Sequence, residues 1–203
     1  YHNLMCRQGV TPDLARAIMR TNTTAIGAVM VNRDEADSII CGTFGEFRWH
    51  MNYIKQVLGR EAFHPVGALS MMILEDGPLF ITDTQVHLHP KPEEIAEIAV
   101  GAARHVRRFG IEPNIAFCSQ SQFGNHGNGS GWRLREAIKI LDAEGHDFCY
   151  EGEMNIDTAL DPDLRQRLFP GNRMKGPANV LVFAHADAAS GVHQYAYRRR
   201  WAY

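Results

Sequence analysis

The sequence predicts an α/β fold in which a mostly parallel sheet is flanked by helices. Short apolar segments with the composition of buried strands alternate along the chain with longer segments whose apolar residues recur at helical spacing. Polar loops that contain glycine follow two of these strands, at residues 119–125 and 150–157. Alternating strands and helices are typical of parallel sheets, because a crossover helix returns the chain to the start of the next strand.

The N-terminal third of the chain predicts two helices with two short strands between them. Thr11 and Pro12 open the first helix, with the threonine as N-cap and the proline at the first helical position. The second helix follows from apolar residues at helical spacing between Phe47 and Leu58, and Gly59 ends it. The apolar runs at 25–31 and 38–41 predict short buried strands.

The rest of the chain shows the alternation most clearly. Strands are predicted at 66–74 and 79–82, on either side of an Asp76–Gly77 turn, and again at 115–118, 148–150 and 179–184. Three helices are predicted as well: one begins at Pro92 and ends at Gly110, one is capped by Ser130, and one carries Leu160, Leu164 and Leu168.

Composition limits the possible functions. With 203 residues, of which 45% are hydrophobic, the chain suits one large or two small globular domains. A net charge of −2 gives no electrostatic reason to expect nucleic acid as a partner. No apolar run reaches the roughly 18 residues of a membrane span, so no membrane partner is expected. The four cysteines contain no C-x-x-C pair, which predicts reduced thiols in a cytoplasmic protein.

Several segments together resemble a known family. Glu151-Gly152-Glu153 with Asp157 and Ala159, followed by the segment 178–183, resembles the D-G-E-x-x-x-D-A-A and A-N-V-L-I-F pattern of phosphate acetyltransferases. The segments at 48–53, 73–84 and 107–113 are similar to the phosphate-acetyltransferase-like domain at the C-terminus of bacterial NADP-dependent malic enzymes. The resemblance covers roughly residues 1 to 192, and its specificity lies in the order and spacing of the segments.

The resemblance implies a two-domain architecture like that of isocitrate and isopropylmalate dehydrogenases, incomplete in this fragment. Residues 1–64 would form part of the first α/β domain and residues 65–192 the second, with a boundary at His64–Pro65 and a cleft between them. The ligands implied are acetyl-CoA or another acyl-CoA, and phosphate. A homo-oligomer is also implied.

Three functions are compatible with this resemblance. The first is a regulatory, acetyl-CoA-binding domain of a malic enzyme that converts malate to pyruvate and CO₂. Its NADP and divalent metal sites would lie upstream of this chain, so no cofactor is expected on the chain itself, which contains neither G-x-G-x-x-G nor G-x-x-x-x-G-K-[ST]. The second is phosphate acetyltransferase, which forms acetyl phosphate and CoA from acetyl-CoA and phosphate. The third is a structural oligomerisation module.

Candidate ligand-binding residues lie in three places. Arg48, which stands where the family has an arginine followed by Pro-Ala, and Thr43 in the preceding glycine-containing loop are candidates for holding phosphate. Ser119, Ser121 and Asn125 offer donors to phosphate or to the pantetheine arm of coenzyme A, although ordinary turn chemistry explains them equally well. Glu153 and Asp157 suit acid–base work or the orientation of an arginine, but we favour a structural role at a helix start.

Departures from the family pattern predict that this chain is inactive alone, and no catalytic residue is assigned. Met5 stands at the position of a family arginine, and the family's Ser-Arg-Gly segment lies beyond the point where the resemblance stops. Residues 193–203 are expected to be an atypical tail without helical or strand period. Its Arg-Arg-Arg run suggests a frameshift or a truncated gene fragment, and a genuine basic tail is the alternative.

Histidines and acids near two predicted strand ends are candidates for a metal site or for a catalytic dyad. His87 and His89 form a His-x-His pair after Asp83, but the segment runs into a proline-rich loop that offers no fourth ligand. His185 and Asp187 are two residues apart at a strand end, where side chains rarely face each other productively. No metal site is predicted from either group.

Overall fold

The computed structural model describes residues 1–59, 67–124 and 129–200. The chain divides into two compact units, Tyr1–His64 and Pro65–Tyr203. The residues of the predicted boundary, His64 and Pro65, lie outside the described part, and the domain assignment and the dehydrogenase-like architecture stay predictions. The expectation of an α/β fold with a mostly parallel sheet and flanking helices is confirmed.

Helices build the described part of the first unit. Thr11 accepts a hydrogen bond from the Leu14 amide and Pro12 begins α2, as the sequence predicts. The predicted helix over 47–58 is α4, and Gly59 follows it. The helices are α1 (His2–Met5), α2 (Pro12–Thr21), α3 (Thr23–Asn32) and α4 (Phe47–Leu58), with a 3₁₀ turn at Cys6–Gln8.

The two strands predicted in this unit are wrong. Residues 25–31 lie inside α3, whose start is fixed by the Asn22 side chain accepting from the Ala25 amide. An unbroken apolar run has no period that separates a buried strand from a buried helix, so the cap decides. Residues 38–41 form no strand, and Ile40 is fully exposed.

A five-stranded sheet forms the centre of the second unit. Its spatial order is β1-β2-β5-β3-β4, with β1 antiparallel to β2 and every other neighbouring pair parallel. The predicted turn joins β1 to β2, where Leu74 pairs with Gly77. The strands are β1 (Ser70–Leu74), β2 (Gly77–Thr82), β3 (Asn114–Cys118), β4 (Cys149–Met154) and β5 (Val180–Phe183).

Helices cover both faces of this sheet. Alternate strand residues such as Phe117 and Val182 face α5 and α6, while Ala116 and Leu181 face the opposite layer, where α7 and α9 contribute Ala159 and Ala189. The helices are α5 (Pro92–Arg108), α6 (Gly131–Glu144), α7 (Ile156–Leu160), α8 (Pro162–Leu168) and α9 (Ala186–Arg200). None of the helices within the described ranges is long and apolar enough to cross a membrane.

The strand predicted at 148–150 is longer than expected and contains the acidic segment. Glu151, Gly152 and Glu153 lie within β4 rather than in a loop. Composition predicts otherwise because acids and glycine are depleted in strands. Here both carboxylates are buried against partners, and Gly152 lies opposite an irregularity in the β3 register.

Two further expectations are corrected. The single helix predicted around Leu160, Leu164 and Leu168 is two short helices, because Pro162 interrupts the helix and Asp161 caps the second one. The predicted tail without periodicity is also wrong up to residue 200, because α9 continues through it, and Val192 and Ala196 pack on the core.

Candidate functional site

The carboxyl ends of the parallel strands meet at one edge of the sheet in the second unit. A concave space of about 850 Å³ opens there. This is within the usual range for small-molecule sites, and its position is where open α/β sheets bind ligands. Its walls are Cys118, Ser119, Gln120, Ser130, Asn155, Ile156, Phe183, Ala184, His185, Asp187, Ala188, Gly191 and Val192.

The two loops that the sequence singles out are bonded to each other at this edge. The Ser119 amide donates to Met154 O at 2.9 Å, and the Phe123 amide donates to Glu153 O at 2.7 Å. With its amide oriented to suit its neighbours, Asn155 donates to the carbonyl oxygens of Ser119 and Gln120. Residues 119–124 therefore form a loop held in place by the end of β4.

Glu153 anchors this loop from within the protein. Its side chain is fully buried, and its Oε1 accepts from Ser121 Oγ at 2.6 Å, the Gly124 amide at 2.9 Å and Arg135 Nη1 at 2.7 Å. The other carboxylate oxygen, Oε2, has no hydrogen-bond partner among the described residues. One buried carboxylate thus joins β4, the 119–124 loop and α6.

A second cationic side chain, Arg133, contacts His185, which lines the space. Arg133 Nη2 lies 2.8 Å from His185 Nε2, and His185 Nδ1 lies 3.0 Å from His89 Nδ1. Arg133 Nη2 also lies 3.3 Å from His185 Nδ1, and since arginine only donates, His185 is the acceptor in its contact with Arg133. Burial, followed by the charges of Arg133 and His89, lowers the pKa of His185.

The Asp83 carboxylate closes the loop after β2. It accepts from the amides of Ala68, Gln85 and Val86, and from both the amide and the ring Nδ1 of His87. His87 and His89 therefore contact different partners, Asp83 and His185. Within the ranges that the structure describes, no three histidine, cysteine or acidic side chains are placed to hold a metal ion.

The structure places the predicted site residues of the second unit at different depths. Ser119 lines the open space, whereas Ser121 is buried behind it and donates to Glu153. Asp157 lies exposed in the first turn of α7, where its carboxylate accepts from the Thr158 amide at 2.7 Å. Asn125 lies outside the described residues. Ligand roles for these residues stay predictions.

Thr43 and Arg48 belong to the first unit. Thr43 is exposed in a loop between Gly42 and Gly45, and Arg48 is exposed in the first turn of α4 without a hydrogen bond to any described residue. The buried His50 holds this loop, because its ring contacts Phe44 O at 2.6 Å and Thr24 Oγ1 at 2.7 Å.

Sequence reasoning missed Arg133, Arg135 and Asn155 as residues of the carboxyl edge, and it considered His185 only as a possible partner of Asp187. Arg133 and Arg135 lie on α6, whose apolar stripe predicts only which face of the helix is buried. The signal that was available is their position within the first two turns of α6, directly after the polar loop. Asn155 is the N-cap residue of α7, yet its amide contacts the neighbouring loop instead of the helix.

Comparison with known proteins assigns the chain to a family. The family model of phosphate acetyl/butaryl transferase matches residues 1–199. The chain belongs to the phosphate acetyl/butaryl transferase family. The match extends to residue 199, so the expectation that the family pattern stops at Val192 is wrong.

Relatives of the chain fall into two kinds of protein. It is 43% identical over 190 residues to an NADP-dependent malic enzyme of Salmonella typhimurium, which is 93% of this chain and 25% of that enzyme. It is 30% identical over 196 residues to a phosphate acetyltransferase of Synechocystis, covering 96% of this chain and 28% of that protein. The chain therefore spans about a quarter of the length of these curated relatives.

A solved structure shares the fold. A phosphotransacetylase from Streptococcus pyogenes superposes with a TM-score of 0.87 at 24% identity, over 98% of this chain and 61% of that one. The chain is thus a phosphotransacetylase-like domain of the kind found in malic enzymes and in phosphate acetyltransferases. The resemblance inferred from its motifs is confirmed.

Proposed function

We propose that this chain is the acyl-coenzyme-A-binding regulatory domain of an NADP-dependent malic enzyme. The observation that carries the proposal is the 43% identity to a malic enzyme over 93% of the chain, against 30% to the phosphate acetyltransferase. The parent protein would oxidatively decarboxylate malate to pyruvate and CO₂. Its NADP and divalent metal would bind outside the part represented by this chain.

The space at the carboxyl edge suits part of an acyl-CoA ester. Phe183, Ile156 and Val192 supply apolar walls for the methylene and thioether portions of a pantetheine arm. Ser119 and Ser130 line the same space and offer hydroxyl groups to polar atoms of the ligand. Binding here would change turnover at the distant malate site through a coupling free energy between the two sites.

Phosphate acetyltransferase activity is the second candidate, favoured by the family itself. That reaction needs cations to hold phosphate and a cleft that aligns the thiol of coenzyme A with an acyl carbonyl. Met5, at the position of a family arginine, is buried in α1 and packs within the first unit. The loss of that cation supports ligand sensing over turnover, and we propose that the chain alone is inactive.

The proposal is tested by steady-state kinetics of the parent enzyme with Arg48→Ala. If Arg48 holds a phosphate of acetyl-CoA, the inhibition constant for acetyl-CoA should rise roughly tenfold or more, because charge-assisted hydrogen bonds are strong. Arg20→Ala is the matched control, since Arg20 is an exposed arginine near the end of α2. Malate turnover without acetyl-CoA is measured alongside, and a parallel fall would indicate a structural role.

The two candidate functions separate in an assay of the chain itself. Formation of thioester from acetyl phosphate and CoA should not be measurable. Turnover of about 1 per second, the low end of ordinary enzymes, would replace the regulatory proposal with the transferase. An unchanged inhibition constant in Arg48→Ala would remove Arg48 from the ligand site.

A further inference from the structure

Ser119 and Arg135 come close together beside Gly131, where the packing leaves no room for a side chain. A methyl group at the missing Cβ position of Gly131 would lie 3.3 Å from Ser119 Oγ and 3.5 Å from Arg135 Nη1. It would also lie 3.1 Å from Ser121 Cβ, which is closer than most side-chain contacts. The Ser119 hydroxyl and the Arg135 guanidinium are therefore neighbours beside the first residue of α6, each lying within 3.5 Å of the same point.

One nitrogen of the Arg135 guanidinium is hydrogen-bonded to Glu153, and the other two have no acceptor among the described residues. Its Nη1 donates to Glu153 Oε1 at 2.7 Å. The side chain remains 28% exposed, and its Nε and Nη2 donate to none of the residues that the structure describes. The Ser119 hydroxyl oxygen accepts from the Ser121 amide, so its own hydrogen remains available to a ligand.

Glu153 fixes the positions of neighbouring groups, although its burial contributes little to the stability of the fold. A fully buried carboxylate is costly to desolvate, and its unpartnered Oε2 adds to that cost. Its three contacts on Oε1, however, fix the 119–124 loop and Arg135 relative to each other. Arginine presents a planar array of donors, so fixing one nitrogen orients the remaining donors.

We propose that Arg135 binds a phosphate group of the ligand together with the Ser119 hydroxyl, and that Glu153 is the positioning residue for both. This inference rests on the proposed function and adds a cation next to Ser119, which lines the carboxyl-edge space. Free phosphate and the phosphate groups of a coenzyme A ester offer the same chemistry. Both present anionic oxygens that accept charge-assisted hydrogen bonds from a guanidinium.

The test measures binding to the whole chain by titration calorimetry with three probes. The probes are acetyl-CoA, inorganic phosphate and acetyl-pantetheine, which has the thioester arm but no phosphate. Arg135→Met should weaken the binding of acetyl-CoA, of inorganic phosphate, or of both by at least about tenfold, and it should leave the affinity for acetyl-pantetheine unchanged. Loss confined to acetyl-CoA identifies its phosphates as the ligand, and loss confined to inorganic phosphate identifies the free ion.

Arg173→Met is the matched control, because Arg173 also pairs with a buried glutamate of β4. Its Nε lies 3.5 Å from Glu151 Oε2, but it belongs to the opposite, amino-terminal edge of the sheet. Gly131→Ala would press against Ser119 and Ser121 without removing a charge, and it should also weaken binding of acetyl-CoA or of inorganic phosphate. Thermal melts of every variant identify any that fail to fold, and Arg135→Lys, which keeps the charge, then replaces Arg135→Met.

The positioning role of Glu153 needs its own measurement. Glu153→Gln should lose affinity by a factor comparable to Arg135→Met, and the double variant should lose little more, because the two residues act as one unit. Amide hydrogen exchange at Gly124 should quicken in Glu153→Gln and stay unchanged in Arg135→Met. If Glu153→Gln binds like the wild type, Glu153 has no positioning role.

Failure of this inference is distinct from failure of the proposed function. If the chain binds acetyl-CoA but Arg135→Met loses no more affinity than Arg173→Met, the assignment of Arg135 is wrong and acyl-CoA binding stands. If the chain binds inorganic phosphate alone, the proposal of acyl-CoA binding is wrong. The effect of Arg135→Met on phosphate affinity then decides whether Arg135 holds the ion. Binding of none of the three probes overturns both.

Discussion

Gly152 occupies a position in β4 where any side chain would collide with the neighbouring strand. Its φ is 148°, and an added Cβ would lie 2.7 Å from the carbonyl oxygen of Phe117. We predict that Gly152→Ala lowers the free energy of unfolding by about 2–4 kcal/mol, because both the backbone conformation and the close approach resist a side chain. Urea denaturation of the purified variant measures the change.

The control for this prediction lies in the middle of α5. Gly101 has ordinary helical geometry, and an added Cβ would meet nothing within 4 Å. Gly101→Ala should therefore raise the free energy of unfolding by about 0.5–1 kcal/mol, since alanine favours helix over glycine. Equal effects of the two substitutions would show that the contact with Phe117 does not limit residue 152.

The histidine at the carboxyl edge should make stability depend on pH. Burial and neighbouring positive charges lower the pKa of His185 in the folded chain. The unfolded chain then binds protons more readily, so stability falls as the pH drops through the ordinary histidine value of about 6.5. We predict that His185→Gln reduces the slope of unfolding free energy against pH between about 5 and 7.

His105 acts in the same pH window and serves as the comparison. Burial, followed by the charges of Arg108 and Arg104, lowers its pKa too. His105→Gln should remove only its own share of the slope, and the double variant should show the weakest dependence of the three. A slope in His185→Gln equal to that of the wild type would contradict the prediction.

The sequence was enough to select some residues of the candidate site, but not to predict which side chains those residues contact. A motif and a polar loop are enough to select Ser119 and Glu153. They do not reveal that Glu153 is buried or that it pairs with Arg135, because that pairing joins residues 18 positions apart on different elements. The contact of Glu153 with Ser121, in the loop after β3, also depends on the register of β3 against β4, which contains an irregularity that no local pattern encodes.

At the scale of elements, one arginine fastens the segment between α8 and β5. Arg165 is almost fully buried in α8 without an acidic partner in the described part of the chain. Its guanidinium donates instead to the carbonyl oxygens of Thr158, Ala159 and Gly176 and to Asn172 Oδ1. These bonds tie α7 and the segment before β5 to a single side chain.

We predict that Arg165→Met destabilises the chain by about 2–4 kcal/mol, because it removes the donor to four acceptors, two of which are in buried hydrogen bonds, those of Thr158 and Ala159. Arg167→Met is the matched control on the same helix, since Arg167 is exposed and should change stability by less than about 0.5 kcal/mol. Thermal and urea denaturation of the two variants give the comparison. Similar losses in both would mean that Arg165 stabilises through its aliphatic stem.

The helix with the clearest apolar stripe and the apolar strands β2, β3 and β5 were predicted correctly, whereas the apolar run at 25–31 and the acidic end of β4 were not. The apolar stripe of α5 and the end of that helix match the expectation, including burial of Ile95, Ala99 and Val106. The run at 25–31 is apolar throughout, so only the Asn22 cap distinguishes helix from strand. The acidic end of β4 is strand because tertiary partners outweigh the local preference of its residues.

At the scale of the whole molecule, the two units differ in the core that each can build. The first unit, Tyr1–His64, has few buried apolar side chains among its described residues, and most of them are small, such as Ala15, Ala25 and Ala28. Units of this size bury only about 60% of the surface that their unfolded chain exposes, which leaves them marginally stable. The second unit, Pro65–Tyr203, has a sheet with an apolar core on each face.

We therefore predict that a fragment starting at residue 65 folds alone, whereas residues 1–64 alone do not. The fragment 65–203 should show a cooperative thermal transition by near-ultraviolet circular dichroism, because burial on both faces of a sheet is enough for a domain of this length. The fragment 1–64 should show none. Absence of a cooperative transition in 65–203, with one present in the whole chain, would mean that the sheet depends on the first 64 residues. If 65–203 folds, its affinity for acetyl-CoA also decides whether the carboxyl-edge site binds ligand without Thr43 and Arg48.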